Sequence, residues 1–125
     1  MKTNYYTLTP YIHKGIEDWG GYTSDDFKSF ARKWRNYMRR VCNANGWELV
    51  QFNTGHYYCS WFVKNGSKFV YCSFSDVRHF STSWYKTILY RTAESDHDYT
   101  GSSNWYTDLY TLEENLRKMF KRMEA

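Results

Sequence analysis

The chain has 125 residues, 42% of them hydrophobic and 22% aromatic, with a single proline and a formal net charge of +4. That length suits one domain, taken as residues 1–125, and that apolar content argues against a disordered chain. No apolar run approaches the roughly 18 residues of a membrane span, residues 1–6 hold no hydrophobic signal core, and Cys42, Cys59 and Cys72 have neither disulfide-framework nor zinc-ribbon spacing. A cytoplasmic protein with no membrane association, no metal and no cofactor is expected.

Residues 4–9 are expected as a short strand that Pro10 ends, with Gly15, Gly20 and Gly21 marking loops. A helix should follow over residues 24–44. Thr23 is the candidate N-cap, with Asp26 at the capping-box position and Tyr22 and Phe27 placed as a hydrophobic staple. Asn45-Gly46 supplies a left-handed stop. At 100° per residue, Phe27, Phe30, Ala31, Trp34, Met38 and Val41 share one arc, the core face.

The same helix holds the charge. Residues 25–44 carry six basic and two acidic side chains, and the remaining eleven of each sign cancel. Lys28, Arg32, Arg35 and Arg39 fall within about 60° of one another, with Lys33 and Arg40 on the other flank.

Three strands are expected at residues 47–53, 56–64 and 67–75, rich in aromatic and β-branched side chains. Asn65-Gly66 predicts a type I′ hairpin that pairs Lys64 with Ser67, Phe62 with Phe69 and Cys59 with Cys72. Thr54-Gly55 would pair Val50 with Cys59 and Phe52 with Tyr57. One sheet face then carries Val50, Phe52, Tyr57, Cys59, Trp61, Val63, Val70, Cys72 and Phe74, the core side. The other carries Trp47, Leu49, Tyr58, Phe62, Phe69 and Tyr71. It is too aromatic for ordinary exposure, so either a helix covers it or it binds something.

A fourth strand is expected at residues 84–92, then a polar loop over 94–104. The last helix begins at Thr111 with Glu114 in a capping box, and Glu113–Arg117 and Glu114–Lys118 make i,i+4 pairs. The predicted class is α+β: an antiparallel sheet of about four strands, with residues 4–9 as a possible fifth, between a helix on its N-terminal side and a C-terminal helix.

Two readings of the cation stripe stand: a row that tracks phosphates or an acidic protein surface, with nearby aromatics to stack bases, or an ordinary solvated helix face. Cys59 and Cys72 read as small buried hydrophobes or as a cross-strand disulfide. His97 between Asp96 and Asp98, with Ser102 and Ser103 nearby, offers residue types a hydrolase uses, and a hydrolase or nuclease would lose turnover on replacement of His97 or His79. Neighbours in one loop rarely converge into nucleophile, base and orienter, so catalysis is not the expected role. Arg78, His79 and His97 are a possible loop site, since polar loops placed by a rigid sheet often carry function; in the alternative, Asp76, Arg78 and Arg91 pair locally and Asp98 and Gly101 make a turn.

Asn45-Gly46-Trp47-Glu48-Leu49, the hairpin around Asn65-Gly66, Ser75-Asp76-Val77-Arg78 and Ile88-Leu89-Tyr90-Arg91-Thr92-Ala93 with Asp98-Tyr99-Thr100-Gly101 resemble a group of small uncharacterised proteins. These are carried on integrative and conjugative elements and phages of Gram-positive gut bacteria. The resemblance spans about residues 24–120 and brings no catalytic motif, so it assigns no residue a role. It implies a setting, since such elements encode inhibitors of host defence, anti-CRISPRs against RNA-guided Cas nucleases among them, and accessory factors of DNA transfer.

The expected function is therefore a non-catalytic binder acting on a nucleic-acid-handling system, as an anti-CRISPR-like inhibitor of a Cas nuclease, with a protein or nucleoprotein effector as partner. Its contacts would be Lys28, Arg32, Arg35, Arg39, Phe62, Phe69 and Tyr71. The alternatives are a DNA- or RNA-binding accessory protein that takes nucleic acid directly, and a small hydrolase or nuclease.

Overall fold

Strands pair in the order in which they occur. In the computed structural model, which describes residues 2–14, 25–55, 57–77, 84–100 and 103–124, β1 (Glu48–Thr54), β2 (Cys59–Asn65), β3 (Lys68–Phe74), β4 (Ile88–Ala93) and β5 (Trp105–Thr107) form an antiparallel meander. Helix α1 (Thr9–Lys14) follows a 3-10 turn at Tyr6–Leu8, α2 (Asp25–Asn45) precedes the sheet and α3 (Leu112–Met123) follows it. The class is α+β, as the residue pattern predicts. Among the described residues no helix is long and apolar enough to cross a membrane. Thr23 and Tyr22, the expected cap and staple of α2, lie outside the described residues.

The fifth strand is not the N-terminal segment. Residues 4–9 coil instead, because Pro10 suits the first turn of a helix and Leu8, Tyr11 and Ile12, at helical spacing, are all buried. The extra strand is Trp105–Thr107, too short for its alternation to be read. Residues 84–86 also depart from expectation. They form a 3-10 turn that drives Trp84 into the core, its indole N–H donating to the Tyr11 carbonyl at 3.2 Å, and β4 starts only at Ile88.

The central hairpin turns on Gly66-Ser67 rather than Asn65-Gly66. Asn65 pairs with Lys68, Lys64 with Phe69 and Phe62 with Tyr71. Gly66 has φ +62° and Ser67 no positive φ, which fits a turn with glycine at the first central position. The two-residue shift preserves which face each side chain takes. It separates the cysteines, however. Cys59 stands opposite Phe74, Cys72 opposite Trp61, and all three cysteines are free and buried.

Strand β1 departs further. Leu49 pairs with Val63 and Val50 with Phe62, whereas Asn53 pairs with Ser60, so one extra residue bulges between Val50 and Asn53. Gln51 takes it up at φ +50°, a region side-chain-bearing residues rarely enter. Trp47 and Leu49, expected on the far face, consequently pack on the core; Phe52 packs there too, as expected, and Val50, expected on the core side, takes the far face.

Helix α2 ends as its sequence predicts. Gly46 at φ +72° lets the Trp47 N–H reach the Cys42 carbonyl at 2.8 Å, the long bond of a Schellman stop. Trp34, Trp61 and Trp84 are fully buried between α2 and the sheet. The Trp34 and Trp61 ring N–H groups and the Tyr37 hydroxyl find no partner among the described residues. Burying one such ring gains roughly 4–6 kcal/mol gross, against about 1–3 kcal/mol for a lost hydrogen bond, so burial wins.

A buried carboxylate ties the layers together. Glu113 is 3% exposed. It accepts from the Thr3 N–H at 2.7 Å and hydroxyl at 2.9 Å, the Asn45 amide at 2.8 Å and Arg117 Nη2 at 3.1 Å. Both expected i,i+4 pairs of α3 form, Glu114–Lys118 at 3.5 Å being the second. The capping box does not, since the Thr111 N–H that Glu114 would accept donates to Asp108 at 2.8 Å, and the Thr111 side chain makes no cap bond. Glu113→Ala strands the Thr3 N–H and removes the acceptor that Asn45 and Arg117 share, and should cost about 3 kcal/mol in urea denaturation.

Burial, and then Glu113 and Glu48, push the Cys42 thiol up to about 12, and burial raises Cys59 and Cys72 as well. The unfolded chain therefore releases these protons first as pH climbs. The stability that Cys42 contributes is whole below the ordinary value of 9.0 and is lost between there and about 12. At about pH 8 the native thiols should resist iodoacetamide and react only on unfolding.

Candidate functional site

The cation stripe survives folding. Phe27, Phe30, Trp34, Tyr37, Met38 and Val41 face the core, which turns Lys28, Arg32, Arg35 and Arg39 to the surface, all four exposed. They climb about 16 Å of helix and have no ion pair among the described residues. The flanking cations differ. Lys33 lies 5.4 Å over the Tyr11 ring, with its ammonium 3.5 Å from the hydroxyl, and Arg40 donates to the Asn4 carbonyl at 3.0 Å. Helix α1 and the turn before it thus occupy one flank of α2, and strand β1 borders the other. There Arg32, Arg35, Ala31, Phe52 and Thr54 line a groove of about 320 Å³.

The far sheet face proves mostly closed. Helices α2 and α3 both pack on the core side, and the loop after β4 folds over the other. Tyr99 sets its ring edge-on to Phe62 at 5.2 Å and Tyr71 at 5.8 Å. Asn53 reaches the Tyr99 hydroxyl at 3.4 Å and Gln51 reaches Asp96 at 3.5 Å. Arg91 stands 4.5 Å over the Tyr71 ring and donates to the Tyr99 carbonyl and, at 3.0 Å, to Asn104. Phe62, expected as an accessible anchor, is fully buried, while Phe69 and Tyr71 are half-buried.

Asp98 organises a turn, accepting from the Glu94 N–H at 3.0 Å and the Thr100 hydroxyl at 3.2 Å. His97 is exposed beside Asp96. Arg78 and His79 lie outside the described residues. Among the described residues no group of three or more His, Cys, Asp or Glu side chains is placed to hold a metal ion.

Two features escaped the sequence. Phe52 joins Arg35, with the guanidinium 5.8 Å from its ring, a contact no residue spacing announces because the Gln51 bulge creates it. Tyr6, Tyr106 and Tyr110 are 78%, 64% and 40% exposed. Tyr110 borders a groove of about 550 Å³ shared with Lys2, Tyr5, Tyr6 and His13. Phe62→Ala should act as a core deletion, lowering stability by about 3 kcal/mol in urea denaturation.

No protein-family model matches the chain, and neither a curated protein nor a solved structure matches it.

Proposed function

We propose that this chain is a non-catalytic binding protein of a mobile genetic element, acting on a nucleic-acid-handling system. It engages a polyanionic surface there through Lys28, Arg32, Arg35 and Arg39. The observation that carries this reading is the exposed row of four cations on one face of α2, beside the β1 groove. Cations at this density repel one another, and an anionic partner relieves that repulsion while releasing or replacing counterions. The mobile-element setting comes from the resemblance. Its most specific form is an inhibitor seated on an RNA-guided Cas nuclease, with the row against strand phosphates or acidic protein.

A second reading, direct DNA or RNA binding as an accessory factor, draws on the same row. Four neutralised phosphates predict a slope of roughly −3 in log K against log salt for bare nucleic acid. The effector reading predicts weak binding to bare strands and tight capture by the loaded complex.

Replacing Arg32, Arg35 and Arg39 together by Ala should weaken the partner complex by about tenfold or more. Stability should stay nearly unchanged, because the three side chains are exposed. Affinity measured by interferometry on the captured effector, with a melting curve of the same sample, checks both halves. Unaltered binding makes the row an ordinary solvated face.

A further inference from the structure

The β1 bulge and the arginines meet in one place. In a regular strand Phe52 would point away from Leu49, to the face opposite α2. The inserted residue at Gln51, held at φ +50°, turns Phe52 to the α2 side, where it lies against buried Trp61 at 6.2 Å with a 26° tilt between the rings. Bulges re-aim side chains in this way, and a strained residue at a surface groove invites a functional reading. The product is an aromatic ring braced by the core, half-exposed, with the Arg35 guanidinium over it at 5.8 Å and Arg32 on the groove wall.

We infer that this groove is a stacking site for one base of a single-stranded nucleic acid whose phosphates follow Lys28, Arg32, Arg35 and Arg39. The inference rests on the proposed polyanion reading and names the polyanion. Successive cations are separated by about 4.5–6 Å of axial rise, comparable with the spacing of consecutive phosphates along one strand. The groove, at about 320 Å³, sits at the lower bound of small-ligand sites and accepts one flat ring system. An intact duplex keeps its bases stacked inside and has no use for a ring among cations, whereas a single strand uses both. An acidic peptide adding to the β1 edge fits less well. The bulge interrupts the row of edge groups, and the Asn53 amide already occupies the Gln51 carbonyl at 2.9 Å. Stacking on a phenyl ring reads no base identity, so binding should tolerate any sequence.

The test titrates the full chain into short fluorescein-labelled oligo-dT and oligo-U, and into a duplex of equal length, over a range of salt. Both single strands should bind more tightly than the duplex. Phe52→Leu, which keeps apolar bulk and removes the ring, should weaken single-strand binding about tenfold. It should leave duplex affinity and the salt slope unaltered, and Phe52→Tyr should restore binding. Should Phe52→Leu melt early, Arg35→Lys, which keeps the charge and removes the flat guanidinium, should also weaken single strands selectively. Equal binding of duplex and single strand, or equal loss on both, overturns the stacking site, while the cation row stands if the triple arginine variant still loses affinity. No binding of either bare strand also overturns it, and leaves the polyanion reading to the effector capture alone.

Discussion

Helix α2 meets the sheet through Trp34, whose indole stands edge-on to Trp61, Phe74 and Trp84 at centroid distances of 5.4, 5.2 and 5.5 Å. Edge-to-face contacts at these distances have a preferred geometry beyond mere burial. They set the rotation of α2 about its own axis. With Trp34 turned inward, neighbouring Arg35 falls at the helix flank over Phe52, and Lys28, Arg32 and Arg39 face solvent. The placement of the charged surface thus follows from one aromatic cluster.

That cluster also decides which sheet face is free. Because α2 and α3 share the core side, the far face must be closed by something else, and the loop after β4 does so with Tyr99, held by Arg91 of β4. Arg91 holds that loop by two of its carbonyl and amide oxygens while its guanidinium lies on Tyr71. Glu113 does the corresponding work on the core side, joining the N-terminal segment, the end of α2 and the start of α3 through one carboxylate. Arg91 and Asp98, which looked as suited to a site as to a scaffold, act in this structure as scaffold.

The charge pattern and the bulge belong together functionally. A cation row alone is common on helices and says little about a partner. A ring delivered to the foot of that row by a strained residue is less common, because the strain needs the surrounding structure to hold it. The proposed binding surface accordingly centres on the α2–β1 border rather than on the aromatic face that the strand pattern singled out.

The residue pattern by itself determined α2 with its two faces, the Asn45-Gly46 stop, the i,i+4 pairs of α3, the existence of the hairpin and the α+β class. These features depend on spacings of two to four residues along the chain, where local geometry dictates which side chains meet. Only the tertiary structure decided that residues 4–9 coil, that residues 105–107 form the fifth strand, that Phe62 is buried under Tyr99, and that Phe52 reaches Arg35. Each of these turns on contacts between segments far apart in the chain. A single inserted residue reverses a strand's faces, and because distant contacts rather than its neighbours hold it in place, no short-range pattern records it.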